Sequence, residues 1–205
     1  MNYRIFPPDE ILETSVTLPL SKSVSARVLV MQALTPGAAP VPPEALADCS
    51  DTRVLAAALT RTSGEVDAAD CGTAMRFLTA YYAAVPGTDI VLTGNPRLSE
   101  RPIAPLVDAL RDLGADITYK DADGHLPLHI RGRRLHGGAV KLDARASSQF
   151  ASALAMIAPA TDAGLDIDLG GEIASMPYLR MTMHMLANRG VEADIAGYTL
   201  TVRGS

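Results

Sequence analysis

With 205 residues, 48% of them hydrophobic, the chain can bury a core as one domain or two small ones. Its net charge of −5 argues against a nucleic-acid binder, since nothing overall would neutralise a phosphate polymer. Apolar runs long enough for a membrane span are absent, Met1-Asn2-Tyr3-Arg4-Ile5 opens no signal-peptide core, and the two cysteines, Cys49 and Cys71, write in no disulfide framework, so a reducing cytoplasm is the expected setting.

Tyr3–Phe6 and Ser15–Leu18 alternate like short strands on either side of Pro7-Pro8. Val24, Arg27, Val28, Met31 and Leu34 recur at spacings of three and four, which predicts a helix from Ser23 to Leu34. A Pro/Ala/Gly-rich connection covers Pro36–Pro43, and Asp51 reads as the N-cap of a helix over Arg53–Leu59. Gly72-Thr73 opens an apolar helix to about Ala84, and Asp89–Thr93 is a strand. Gly94–Pro102 is a loop of turn formers, with Pro102 expected in the first turn of a helix that stops at Gly114. Strands follow at Asp116–Tyr119, Leu126–Ile130 and Ala139–Leu142. The remaining pattern predicts helix Ser148–Ile157, strand Leu165–Leu169, helix Pro177–Arg189 and strands Glu192–Ile195 and Thr199–Arg203.

One pattern recurs three times. A small-residue turn leads into an apolar helix at Ser21-Lys22-Ser23, at Asp70-Cys71-Gly72-Thr73 and at Ala146-Ser147-Ser148-Gln149. A second periodic segment starts 30 residues after Ser21, Gly72 and Ser147, at Asp51, Pro102 and Pro177. The fold expected is α/β: three pseudo-equivalent β-α-β-α-β-β units, the first shortened after Leu59, with helices packed inside the sheets.

Helix starts carry unpaired backbone N–H groups and the positive end of the helix dipole, so three equivalent starts facing one side suit an anion. Ser21, Lys22 and Ser23 add hydroxyls and an ammonium, Gly72 permits close backbone approach, and Ser147, Ser148 and Gln149 add two hydroxyls and an amide. Arg27 and Arg76 lie one turn further along their helices, and Arg101 sits in the turn-rich loop, where guanidiniums suit phosphate or carboxylate. Taken singly, each is also an ordinary N-cap, turn glycine or surface ion pair. Cys71 reads as a buried structural thiol. His125, His129, His136 and His184 lack metal-ligand spacing, and no metal site is expected. Met181, Met183 and Met185 read as helix packing, and Gly137-Gly138 and Gly170-Gly171 lack the context of a dinucleotide loop.

The run Leu18-Pro19-Leu20-Ser21-Lys22-Ser23-Val24-Ser25-Ala26-Arg27 resembles the first signature of the 5-enolpyruvylshikimate-3-phosphate synthase family. Asp70–Arg76, the stretch Leu92–Ile103, Ser147-Ser148-Gln149-Phe150 and Ser175-Met176-Pro177-Tyr178 are similar to its later signatures, in the same order. The resemblance covers essentially the whole chain but only the N-terminal half of that family. It implies transfer of the enolpyruvyl group of phosphoenolpyruvate to the 5-hydroxyl of shikimate 3-phosphate, with release of phosphate and no metal or other cofactor. By the same resemblance Lys22 is catalytic and touches both substrates, and Ser23 and Arg27 hold shikimate 3-phosphate. Ser147, Ser148 and Ser175 bind its phosphate, with Gln149 and Tyr178 near the ring. Gly72 and Arg101 face phosphoenolpyruvate, and Arg76 is a further positive group. Asp48 and Asp51 match an acidic pair with no assigned role. Residues 1–18 are expected as strands packing with the other domain and 19–205 as the shikimate-3-phosphate-binding domain.

Five positions depart from the family pattern: Leu20 for Gly, Ala26 for Asn, Asp70-Cys71 for Asn-Ala, and Arg180 for an acidic residue. Because the family's remaining acid/base and cationic groups come from a C-terminal domain, the chain alone is expected to fold without turning over substrate. The related UDP-N-acetylglucosamine enolpyruvyl transferase would carry Lys-Asn and a loop cysteine where Lys22-Ser23 and a cysteine-free Gly94–Pro102 stand. A non-catalytic anion-binding module is the alternative of a different class. Neither nucleic acid nor a membrane is an expected partner.

Overall fold

The computed structural model describes residues 3–4, 6, 13–144, 147–173 and 175–203. Its first unit consists of two helices, α1 (Lys22–Ala33) and α2 (Ser50–Ala58), joined by the proline-rich connection. The second unit runs β1 (Ser63–Asp67), α3 (Gly72–Ala84), β2 (Asp89–Thr93), α4 (Pro96–Ser99), α5 (Ala104–Asp112), β3 (Asp116–Tyr119) and β4 (Leu128–Arg131). The third runs β5 (Gly138–Lys141), α6 (Ser148–Ile157), β6 (Leu165–Asp168), α7 (Met176–Ala187), β7 (Ala193–Ala196) and β8 (Thr199–Val202).

The two complete units share one wiring. The sheets have the orders β1-β2-β4-β3 and β5-β6-β8-β7. Each opens with a parallel pair, Val66 opposite Leu92 in one and Val140 opposite Ile167 in the other, and closes with two antiparallel pairs. Parallel neighbours need a crossover, which α3 and α6 supply. In β2, β4, β6 and β8 buried residues alternate with more exposed ones, so each sheet lays one face on the helices.

Helices α3 and α6 form the centre. Twelve of the 13 residues of α3 and nine of the ten of α6 are buried, so neither has a solvent face. The two helices pack against each other, and both carry buried alanines such as Ala74, Ala80, Ala151 and Ala155 beside the fully buried Phe77, Leu78, Phe150 and Leu154. Each of those large side chains contributes about 1.5–3 kcal/mol by leaving water. Tyr82 donates to the Ala58 carbonyl at 2.6 Å, which anchors the end of α2 to α3.

Several expectations need correction. Ser15–Leu18 is not a strand: Val16 and Leu18 are 74% and 80% exposed, and alternation alone does not hold a strand without a ladder partner. The first unit accordingly has no sheet among the described residues. Helix α2 starts at Ser50, so the N-cap is Cys49 and Asp51 falls inside the first turn. Pro105, not Pro102, occupies the first turn of α5, which does stop before Gly114 at φ +94°. A short helix, α4, interrupts the expected loop because the Asn95 side chain caps it, accepting from the Leu98 N–H at 2.8 Å. Ile5, Pro7-Pro8 and Ala146 lie outside the described residues.

Candidate anion-binding site

Four helices begin on one side of the domain, and their first turns are tied in pairs. The Lys22 ammonium, at the start of α1, lies 3.3 Å from the Asp51 carboxylate at the start of α2. The Gln149 amide, at the start of α6, donates to Thr73 Oγ1 at the start of α3 at 2.9 Å. Between them lies a cavity of about 370 Å³ lined by Lys22, Ser50, Asp51, Asp70, Gly72, Thr73, Arg101 and Gln149. Every lining residue except Gly72 is polar or charged. The helix starts therefore meet in one hollow, as the threefold repeat predicts. A larger cavity of about 970 Å³ lies at the opposite ends of α1, α6 and α7, around Met31, Leu34, Met156 and Leu186, where no helix start converges.

The starts differ in how their N–H groups are satisfied. Ser21 Oγ accepts from the Val24 N–H at 3.4 Å, and Ser147 Oγ from the Gln149 N–H at 3.2 Å, so these two hydroxyls act first as caps. Helix α3 has no side-chain cap, because Cys71 stands at that position. Its first residues, Gly72 and Thr73, line the cavity, and a helix start without a side-chain cap suits an anion.

Two guanidiniums close on that start. A Cβ placed on Gly72 would stand 2.7 Å from Arg101 Nη1 and 2.9 Å from Arg76 Nη1. Arg76 is 8% exposed, its Nη1 donates to the Gly72 carbonyl at 2.8 Å, and its charge sits 5.2 Å from the centre of the Phe150 ring. Arg76 Nε is buried with no hydrogen-bond partner. Burial first, and the neighbouring Arg101 second, push the Arg76 pKa down to about 10. The guanidinium stays charged at neutral pH, and like charges this close await an anion.

Arg27 sits apart from the cavity lining. It is 2% exposed and spans three helices. Nε donates to Thr182 Oγ1 at 2.7 Å, Nη1 to the Ser23 carbonyl at 2.9 Å, and Nη2 to Ser152 Oγ at 3.1 Å and the Tyr178 carbonyl at 3.3 Å. Burial pushes its pKa down to about 10. It braces α1 against α6 and α7 and does not line the cavity. Ser23 is half-buried, with its carbonyl committed to Arg27, and Ser148 is buried. Ser175 and Tyr178 stand at the start of α7, joined by the Tyr178 N–H to Ser175 carbonyl bond at 3.0 Å. The Tyr178 ring is 46% exposed and its centre lies 6.0 Å from the Arg27 charge. Ser147, Ser148, Ser175 and Tyr178 lie outside the cavity lining, on the edge where α6 and α7 begin.

Of the expected residues, Lys22, Gly72, Arg101 and Gln149 line the cavity itself, and Arg76 stands directly behind Gly72. Ser50 and Thr73 were not singled out by sequence, although each is adjacent to a residue that was. Asp48 points away, paired with Arg53 on the surface. Burial, followed by Asp51 and Asp70, pushes the Cys71 thiol up to about 12, which keeps it protonated and unreactive as a structural cysteine should be.

A profile of the family described as EPSP synthase (3-phosphoshikimate 1-carboxyvinyltransferase) matches residues 60–205. The 3-phosphoshikimate 1-carboxyvinyltransferase of Bacteroides fragilis is 44% identical over 194 residues, covering 95% of this chain and 46% of its own length. That of Actinobacillus succinogenes is 39% identical over 225 residues, covering 94% and 52%. In fold the chain is similar to a solved EPSP synthase from Acinetobacter baumannii, with a TM-score of 0.76 over 93% of this chain and 47% of that one, at 22% identity. The chain thus spans about half the length of the curated relatives it matches. By the profile match, the shared architecture and the signature residues gathered at its helix starts, the chain belongs to the EPSP synthase family.

Proposed function

We propose that this chain supplies one face of a 3-phosphoshikimate 1-carboxyvinyltransferase site, which moves the enolpyruvyl group of phosphoenolpyruvate to the 5-hydroxyl of shikimate 3-phosphate. In that reaction the bond between the enol carbon and the phosphate oxygen breaks, a bond from that carbon to the 5-oxygen forms, and phosphate leaves with the proton the 5-hydroxyl gives up. The observation that carries the proposal is the pair of guanidiniums, Arg76 and Arg101, crowded around Gly72 at the uncapped start of α3. Phosphoenolpyruvate, with a phosphate and a carboxylate, is the substrate whose charge that cradle balances. On this reading Lys22, held by Asp51, meets the same charge and the second substrate. The hydroxyls of Ser147, Ser148 and Ser175, with Gln149 and Tyr178, form the edge assigned to shikimate 3-phosphate. Arg27 and Ser23 support that edge from beneath.

Catalysis by positioning and charge stabilisation draws on groups on both sides of a closed cleft. A C-terminal half is the implied partner, and the expected setting is a reducing cytoplasm, which suits the two free thiols. Calorimetric titration of the chain with each substrate tests the proposal. Binding of phosphoenolpyruvate that disappears in Arg101→Ala, and phosphate release only when a complementary C-terminal half is added, would support it. Phosphoenolpyruvate binding unaffected by both Arg101→Ala and Lys22→Ala would refute it.

A further inference from the structure

Arg101 reaches the cavity from an exposed position between α4 and α5, outside any long helix, so whatever fixes its backbone decides where its guanidinium lies. Two hydrogen bonds hold that stretch, one on either side of Arg101, and both come from the turn that joins β3 to β4. His125 Nδ1 lies 2.9 Å from the Ser99 carbonyl, just before Arg101. Just after it, the Ile103 N–H donates to the Gly124 carbonyl at 2.9 Å. A carbonyl only accepts, so the His125 bond places the ring proton on Nδ1. Leu98 and Leu126 are buried and both stand against Gly94, where a Cβ would lie 2.6 Å from one and 3.1 Å from the other. The turn and the Arg101 stretch thus share an apolar anchor, and above it His125 supplies the one side-chain bond between them among the described residues.

Resting on the function proposed above, we infer that His125 is a positioning residue, which holds the stretch carrying Arg101 in the arrangement that meets phosphoenolpyruvate. His125 is half-buried and absent from the cavity lining, so it touches no ligand there and acts through Arg101. Without its bond to Ser99 the stretch samples arrangements in which Arg101 points elsewhere. The apparent affinity then falls in proportion to the fraction that stays competent. One ordinary hydrogen bond corresponds to about two- to tenfold in that fraction. The loss is partial, because the backbone bond from Ile103 to Gly124 survives any change of the His125 side chain.

The test compares wild type, His125→Ala, His125→Asn and Arg101→Ala in the 205-residue chain. Each is titrated calorimetrically with phosphoenolpyruvate and with shikimate 3-phosphate, and amide hydrogen exchange is followed without ligand. His125→Ala is expected to weaken phosphoenolpyruvate about two- to tenfold, to leave shikimate 3-phosphate within about twofold, and to speed exchange at Arg101 and Ile103 but not along α3. His125→Asn places an amide N–H where Nδ1–H stood and should restore both affinity and protection. Unchanged exchange at Arg101 and Ile103 in His125→Ala overturns the inference whatever the ligands do. So does an equal loss for both ligands, or a His125→Asn protein that behaves like His125→Ala. If Arg101→Ala abolishes phosphoenolpyruvate binding while His125→Ala keeps wild-type affinity, the positioning role falls and the anion site stands. If wild type does not bind phosphoenolpyruvate, the proposed function falls and the positioning role with it.

Discussion

Replacing Gly72 with alanine probes the anion cradle with a single methyl group. The backbone at Gly72 is helical, the first residue of α3, so alanine fits it. The new Cβ would lie 2.7 Å from Arg101 Nη1 and 2.9 Å from Arg76 Nη1, both inside contact distance. Arg76 is held by the Gly72 carbonyl and the Phe150 ring, whereas the Arg101 guanidinium is the end of a flexible side chain. Arg101 therefore yields and leaves the position that meets the ligand. Losing one charge-assisted hydrogen bond costs about 1.5–3 kcal/mol, or about ten- to a hundredfold in affinity. The expected result is phosphoenolpyruvate binding weakened by that factor, an unchanged or slightly lower Tm because the contact with Arg76 is not relieved, and shikimate 3-phosphate binding close to wild type. Calorimetry with both ligands and a thermal melt provide the readout. Wild-type phosphoenolpyruvate affinity in a folded Gly72→Ala protein would refute the reasoning, since the crowding at this Cα would then be irrelevant to the ligand.

Arg27→Ala removes four hydrogen bonds, three of which join α1 to α6 and α7, and is expected to destabilise by about 3 kcal/mol or more. For a chain of this size that is a Tm lower by roughly 6–12 °C, and a change under about 2 °C in thermal denaturation would show that the brace is dispensable. The Cys71 thiol, pushed up from 9.0 to about 12 in the fold, favours the folded state while it is protonated. The unfolded chain loses that proton first, so this contribution is complete below pH 9 and is lost as pH rises toward 12. Denaturant midpoints measured across that range should fall less steeply for Cys71→Ala than for wild type, and parallel slopes would contradict the assignment. Tyr82, whose hydroxyl burial pushes upward as well, contributes in the same direction and remains in both proteins.

The helices were the legible part of the fold. Helices α3 and α6 are written as unbroken apolar stretches behind small polar residues, and their observed starts, Gly72 and Ser148, fall where the sequence puts them. The stop at Gly114 follows from the one residue that takes φ +94° without strain. By contrast, β1 has the composition Ser63-Gly64-Glu65-Val66-Asp67, with Val66 its single buried residue, and carries no strand pattern. It exists because β2 offers a parallel edge for it, and such tertiary pairing overrides a weak local preference. Ser15–Leu18 shows the converse: it has the pattern without an edge to join.

Local sequence also marked the candidate anion site, because helix starts rich in Ser, Lys and Gly declare themselves within a few residues. What each group does there was decided only by residues distant in the chain. Lys22 meets Asp51, Gln149 meets Thr73, and Arg101 meets Gly72, while Arg27 turns inward to Thr182 and Ser152. Whether a cation faces a ligand or braces the core depends on which acceptors the fold brings within about 3 Å, and hydrogen bonds of that reach depend on tertiary packing, not on periodicity.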